Sequence, residues 1–183
     1  MTSEPAGQRP DGAGIWVICG NACAGKTTTA RLLARRLPLA AHVEGDEMQR
    51  LIVSGARWPV PSDSDPRTGR LTGAAGAQYA LRVRNACLLA AAFADAGITA
   101  IVTDAIISEG FESLAEVLGG RLVNFVVLRP PVAVLRQRGL DRLPSVGLRA
   151  DPSGMDPQGV VDLLLDRQAE AAWMIGGGPT TGH

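Results

Sequence analysis

Ile15-Trp16-Val17-Ile18-Cys19 runs straight into Gly20-Asn21-Ala22-Cys23-Ala24-Gly25-Lys26-Thr27, and this stretch decides the fold. The apolar run, rich in β-branched and aromatic side chains and closed by a glycine turn, reads as a buried parallel strand. The octet after it matches G-x-x-x-x-G-K-[ST] in full. Beyond it, residues 27–37 (TTTARLLARRL) place apolar side chains at helical spacing until Pro38 stops them. Strand, glycine loop and helix in this order form an anion cradle. Small residues let the backbone wrap a polyphosphate, with N–H groups turned inward and the positive end of a helix dipole added. Lys26 can reach the β- and γ-phosphates, and the Thr27 hydroxyl can ligate Mg²⁺. The nucleotide-binding set is therefore Gly20, Asn21, Ala22, Cys23, Ala24, Gly25, Lys26, Thr27 and Thr28.

The rest of the chain alternates strands and helices. Residues 41–44 and 98–103 (ITAIVT) read as strands, as do 122–128 (LVNFVVL) and 146–150. Helices are expected over 46–54, 78–96, 113–118, 132–142 and 156–173. Residues 55–77, with prolines at 59, 61 and 66, read as a long loop. This alternation predicts an α/β domain with a parallel sheet covered on both faces. One domain over 14–175 is expected, with a disordered leader (1–13) and a flexible tail (176–183).

Composition narrows the function. Eighteen basic residues balance eighteen acidic ones, so no positive field favours nucleic acid or an anionic membrane. No run of apolar residues is long enough to span a bilayer. Three sparse cysteines without metal-ligand spacing fit a reducing cytosol, so a cytoplasmic protein is expected.

Two carboxylates stand where chemistry is expected. Asp46 follows the second strand and can take a proton from an acceptor hydroxyl, although it is equally placed to cap the helix it starts. Asp104 ends the third strand and can orient Mg²⁺ or contact an acceptor; a simple turn is its plainer reading. Glu109, in the following loop, reads as solvated surface. Six arginines lie between Arg121 and Arg149. Among them Arg138 and Arg142, four apart on one helical face and preceded by Arg136, could cover a transferring phosphoryl group or form a solvated basic face. Arg57, Tyr79, Arg82 and Asn85 are candidates for an acceptor pocket, with Trp58 beside them; core and surface roles are the alternatives.

The stretches GNACAGKT, HVEGDEMQRLIVSG, IVTDAI, VVLRPPVAVLRQRGLDR and LRADPSGMDPQGVVDLLLDR resemble the chloramphenicol phosphotransferase-like small kinases, which are related to gluconate, shikimate and adenylate kinases. The resemblance covers most of the chain outside the leader, residues 57–77 and the tail. It implies a three-layer P-loop fold with a five-stranded parallel sheet ordered 2-3-1-4-5 and a short lid. It also implies Asp46 as base, Arg138 and Arg142 as lid arginines, and residues 151–157 beside the nucleotide base. The expected activity is transfer of phosphate from ATP or GTP, with Mg²⁺, to a hydroxyl of a small molecule, an antibiotic among the candidates. A nucleotide-dependent switch acting on a protein partner would call for an N-K-x-D segment, and the sequence has none. A toxin-like kinase of a nucleotide sugar would share the fold.

Overall fold

The computed structural model describes residues 14–129 and 147–175. The expected leader, the tail and the 132–142 helix with Arg136, Arg138 and Arg142 lie outside the described residues.

Strand β1 (Ile15–Gly20) is wholly buried and sits at the centre of the sheet. It pairs in parallel with β3 (Thr99–Asp104) on one side and with β4 (Leu122–Leu128) on the other. Strand β2 (Ala40–Glu44) adds to β3, and β5 (Leu148–Ala150) adds to β4, giving the order β2-β3-β1-β4-β5. The two-residue period of β1 divides the core between two layers. Ile15, Val17 and Cys19 face Tyr79, Val83, Ala86 and Cys87 of α3 (Gly73–Asp95) and Leu114 and Leu118 of α4 (Ser108–Leu118). Trp16 and Ile18 face Ala30 and Leu33 of α1 (Lys26–Arg36) and Val160, Val161 and Leu164 of α5 (Pro157–Asp166). A parallel sheet with its central strands β1 and β3 wholly buried between two helical layers is the architecture the alternation of elements predicts.

Several element boundaries differ from expectation. Helix α3 begins at Gly73, five residues before the expected start, because its glycines do not break it. A Cβ at Gly76 would lie 2.7 Å from the Leu71 carbonyl oxygen, so glycine there answers a close packing contact. Helix α4 begins at Ser108, and Gly110 lies within it because the Tyr79 hydroxyl leaves a Cβ no room. The expected last helix stops at Asp166 and is followed by the short α6 (Gln168–Ala171). Ala172–Met174 then forms an unexpected sixth strand, β6, antiparallel to the first half of β4. Its Trp173 stacks with Phe111 and Phe125, ring centroids 5.3 and 5.9 Å away, and these contacts outweigh local helical preference. The second helix, α2, is also shorter than expected (Gly45–Arg50).

On β2, His42 Nε2 lies 2.8 Å from Thr103 Oγ1 of β3. Burial holds this imidazole below its ordinary value of 6.5. The unfolded chain therefore takes up a proton near pH 6.5 that the folded chain refuses, and stability rises with pH through the window just below that value. The melting temperature is expected to fall on acidification from pH 7 to below 6.5, and the fall should be smaller in His42→Gln. An identical pH slope in the variant would contradict this assignment.

Candidate active site

The C-terminal ends of β1, β2 and β3 meet at one edge of the sheet, where parallel α/β folds collect ligands. The loop after β1 is held tightly. A Cβ on Gly20 would stand 2.6 Å from the Leu128 carbonyl oxygen, and Gly25 takes a left-handed conformation (φ 85°) as α1 starts. Cys23 has φ 62° and is the single non-glycine residue with positive φ among the described residues. Such conformations persist where the surrounding structure over-determines them, and they gather at ligand-binding loops. Helix α1 begins with Lys26, Thr27 and Thr28, whose N–H groups have no acceptor within the helix.

Lys26 is the only lysine in the sequence. Its ammonium group donates to the carbonyl oxygens of Gly20 (2.9 Å) and Asn21 (2.7 Å), so it is folded back on its own loop. Burial pushes its pKa down, opposed by nearby negative charge including Asp104 and Asp46. A polyphosphate would supply a stronger counter-charge than two carbonyls. Cys19, just before the loop, is inert: burial pushes its thiol up to about 12, and its sulfur bridges to the backbone of Ile106.

A cavity of about 290 Å³ opens here, lined by Lys26 and Thr27 of α1, Glu44 and Asp46 of the β2–α2 turn, Arg82 of α3 and Asp104 of β3, among others. That is room for terminal phosphates and an acceptor hydroxyl, just below the range of pockets that enclose a whole drug-sized ligand. A second depression runs over Cys23, Ala24, Gly25, Lys26, Thr27 and Thr28. The expected phosphate-binding residues Lys26 and Thr27 thus share one cavity with Asp46 and Asp104. Arg57, Tyr79 and Asn85 do not line it. The Tyr79 hydroxyl donates to the Ala105 carbonyl and accepts from the Ile107 N–H, so it braces the loop behind Asp104. Arg57 is exposed and contributes its backbone N–H to Gln78 Oε1 at 2.7 Å.

Asp104 is buried, and Arg82 grips it with two bonds: Nε to Oδ2 at 3.0 Å and Nη2 to Oδ1 at 2.5 Å. The Ala105 N–H also donates to Oδ1. Burial pushes the Asp104 carboxyl up, while Arg82 and this N–H pull against it. All three contacts are donations to the carboxylate, so none could accept a carboxyl proton, and the pair is charge-assisted. Arg82 Nη1 lies 3.4 Å from Asp46 Oδ1, extending the pair to a half-exposed carboxylate in the cavity. Arg82 lies on the same face of α3 as the buried Tyr79, Val83, Ala86 and Ala90. An arginine on an apolar stripe needs a buried partner.

Glu44 was not singled out from the sequence. It accepts from the Thr27 hydroxyl at 2.8 Å. The available signal was its two-residue spacing from Asp46 at the end of a strand. Glu109, expected at the surface, is buried instead, because α4 starts early enough to take it into its first turn. Arg70 Nε stands 3.4 Å from its Oε1.

The donors around Thr27 are hard oxygens, which suits Mg²⁺. Among the described residues no three His, Cys, Asp or Glu side chains gather closely enough to hold a metal alone. Thr27 and Glu44 line the cavity and are hydrogen-bonded to each other, whereas both Asp104 oxygens already accept hydrogen bonds from Arg82.

The turn between Glu44 and Asp46 depends on Gly45. A Cβ there would lie 2.0 Å from Asp104 Oδ2. Gly45→Ala should displace Asp104 or Asp46, lowering stability by about 1–3 kcal/mol, the range for overpacking a tight site. Urea denaturation checks this; an unchanged midpoint would show that the turn and Asp104 are not in contact.

No family model matches the chain, and no curated protein matches it. Solved structures do match in fold. A sugar kinase from Janibacter sp. HTCC2649 superposes with a TM-score of 0.57 at 21% identity, over 87% of this chain and 96% of that one. The Mycobacterium tuberculosis APS kinase CysC, in complex with AMPPNP and APS, gives a TM-score of 0.60 at 18% identity, over 86% and 98%. The Deinococcus radiodurans tunicamycin resistance protein gives 0.56 at 22%, over 85% and 95%. With the phosphate loop and the strand order β2-β3-β1-β4-β5 in place, the chain has the α/β fold of the P-loop kinases.

Proposed function

We propose that the protein is a phosphotransferase that moves the γ-phosphate of ATP or GTP to a hydroxyl of a small molecule. The observation that carries this reading is Asp46 in the same cavity as Lys26 and Thr27. An acceptor hydroxyl seated against Asp46 gives up its proton to that carboxylate as its oxygen attacks the γ-phosphorus. The bond to the β–γ bridging oxygen breaks, and the nucleoside diphosphate leaves. Lys26 turns from the Gly20 and Asn21 carbonyls to the phosphate oxygens and balances their charge. Thr27, with Glu44 beside it, would hold Mg²⁺, which would supply further neutralisation of phosphate charge. Arg82 Nη1, 3.4 Å from Asp46 Oδ1, holds that carboxylate at the cavity. Arg138 and Arg142 are assigned on sequence grounds to stabilising the transferred group.

The acceptor belongs among hydroxylated metabolites and antibiotics. The names borne by proteins of this fold, which include a sugar kinase and a tunicamycin resistance protein, support searching that range. Since Lys26 is the sole lysine, an amine-directed reagent reports on this site with only the chain's amino terminus as background. Nucleotide with Mg²⁺ should protect Lys26 from acylation, read by peptide mass spectrometry. Incubation with γ-labelled ATP or GTP and a panel of hydroxylated compounds should move label to one of them. Full protection of Lys26 with label released only to water at a high rate would refute the kinase reading.

A further inference from the structure

The guanidinium nearest the proposed acceptor position is already engaged. Arginine usually recognises a carboxylate or phosphate through the paired N–H groups of one edge. In Arg82 that edge, Nε with Nη2, is closed on Asp104 at 3.0 and 2.5 Å. Nη1 points to Asp46 at 3.4 Å. The guanidinium carbon lies 5.0 Å from the Tyr79 ring centroid and 5.8 Å from that of Trp58, so aromatic rings pack against it as well.

The surrounding backbone holds this arrangement. Gly45 gives Asp104 the space a Cβ would take. The segment carrying Trp58 is pinned by two glutamines: Gln49 Nε2 donates to the Arg57 carbonyl at 3.2 Å, and Gln78 Oε1 accepts the Arg57 N–H. Gln49 is itself fully buried. Of the basic and acidic side chains lining the cavity, Lys26 and Arg82 stand with Glu44, Asp46 and Asp104. Once Lys26, Thr27 and Glu44 serve the nucleotide and its Mg²⁺, the remaining end carries Asp46 and Asp104 against one engaged arginine.

We propose that Asp104 is a specificity-determining residue: by closing the Arg82 fork it makes this end of the cavity select uncharged or cationic hydroxyl compounds over anionic ones. Naming this end the acceptor end rests on the phosphotransferase reading above; the charge arrangement itself does not. An anionic acceptor would meet Asp46 and Asp104 without a free guanidinium edge to hold it. An uncharged or aminated hydroxyl compound meets no such repulsion.

Inorganic sulfate is a suitable probe, with Trp58 as reporter. The protein is saturated with a non-hydrolysable ATP analogue and Mg²⁺, so that the phosphate loop is filled. Sulfate is then titrated against the fluorescence that Trp58→Phe removes. In the wild-type protein no saturable change is expected. Asp104→Asn should open the fork and bind sulfate at least about tenfold more tightly, and adding Arg82→Gln should erase that gain. Saturable sulfate binding by the wild-type protein, or a folded Asp104→Asn variant with no gain, would overturn the proposal. Circular dichroism reports whether Asp104→Asn folds; if it does not, the wild-type titration decides alone. Failure of the analogue to bind would count against the phosphotransferase reading, while the Trp58 signal would still separate the two outcomes for Arg82.

Discussion

Asp46→Asn is expected to lower kcat for phosphoryl transfer by about 10²–10⁴-fold, the range general-base catalysis contributes. The amide keeps the size of the carboxylate and can still hydrogen-bond an acceptor hydroxyl, but it cannot take its proton. Nucleotide affinity should change little, because Lys26 and Thr27 stay in place on α1. The effect then belongs in kcat rather than in binding of the donor, which separates loss of a base from collapse of the site. Steady-state kinetics with titration of the nucleotide analogue read both quantities. A variant with wild-type kcat would remove Asp46 from the chemistry and leave it as a residue of the α2 first turn. The structure itself offers no side-chain cap from Asp46, since the residue preceding α2 is Glu44 and makes no such bond.

Arg82→Ala should be the most damaging single change to stability. It leaves Asp104, whose side chain is 2% exposed, as a buried carboxylate stripped of its counter-ion. Breaking one side of such a pair costs about 3–5 kcal/mol. That is a large share of the 5–15 kcal/mol typical of a whole domain. Thermal and urea denaturation measure the loss. The companion double variant, Arg82→Met with Asp104→Leu, removes both charges and should recover most of it, because an apolar pair of similar volume avoids the desolvation penalty. It should nonetheless impair transfer, since Asp46 loses the guanidinium 3.4 Å away. A stable and fully active double variant would show that the pair serves neither positioning nor specificity. Arg82→Ala with an unchanged melting temperature would show that the pair is not formed in solution.

The contrast between Thr27 and Arg82 explains what could be read from the sequence. The phosphate loop is contiguous: strand, glycines, lysine, threonine and helix follow one another, so spacing alone located them. The sheet order followed from the resemblance to small kinases, and the pairings of β1 with β3 and β4 agree with it. Asp46 and Asp104 were placed at strand ends because strands in a parallel sheet all finish at one edge. What joins them, however, is an arginine twenty-two residues before Asp104 on a helix, and no local pattern names its partner. Its position on the Tyr79–Val83–Ala86 face was visible, yet only packing shows that the face is buried there. Glu44 likewise became recognisable once β2 ended beside the start of α1. Gly76 and Gly110 misled in the opposite direction, since glycine as a helix breaker and glycine as a packing residue look alike in sequence. Strand β6 depends on pairing with β4 and on stacking of Trp173, contacts that a helical period over residues 156–173 cannot reveal.

On the proposed mechanism, Lys26 and Asp46 act together to pass a phosphoryl group to a hydroxyl rather than to water. Single-turnover reaction of γ-labelled nucleotide, with enzyme in excess and a responsive acceptor present, measures that partition directly. The wild-type protein should place most of the label on the acceptor, and Asp46→Asn should retain bound, largely unreacted nucleotide. Label appearing as inorganic phosphate at the same rate in both proteins, with none on any acceptor, would remove Asp46 from the chemistry and leave the protein a nucleotide hydrolase.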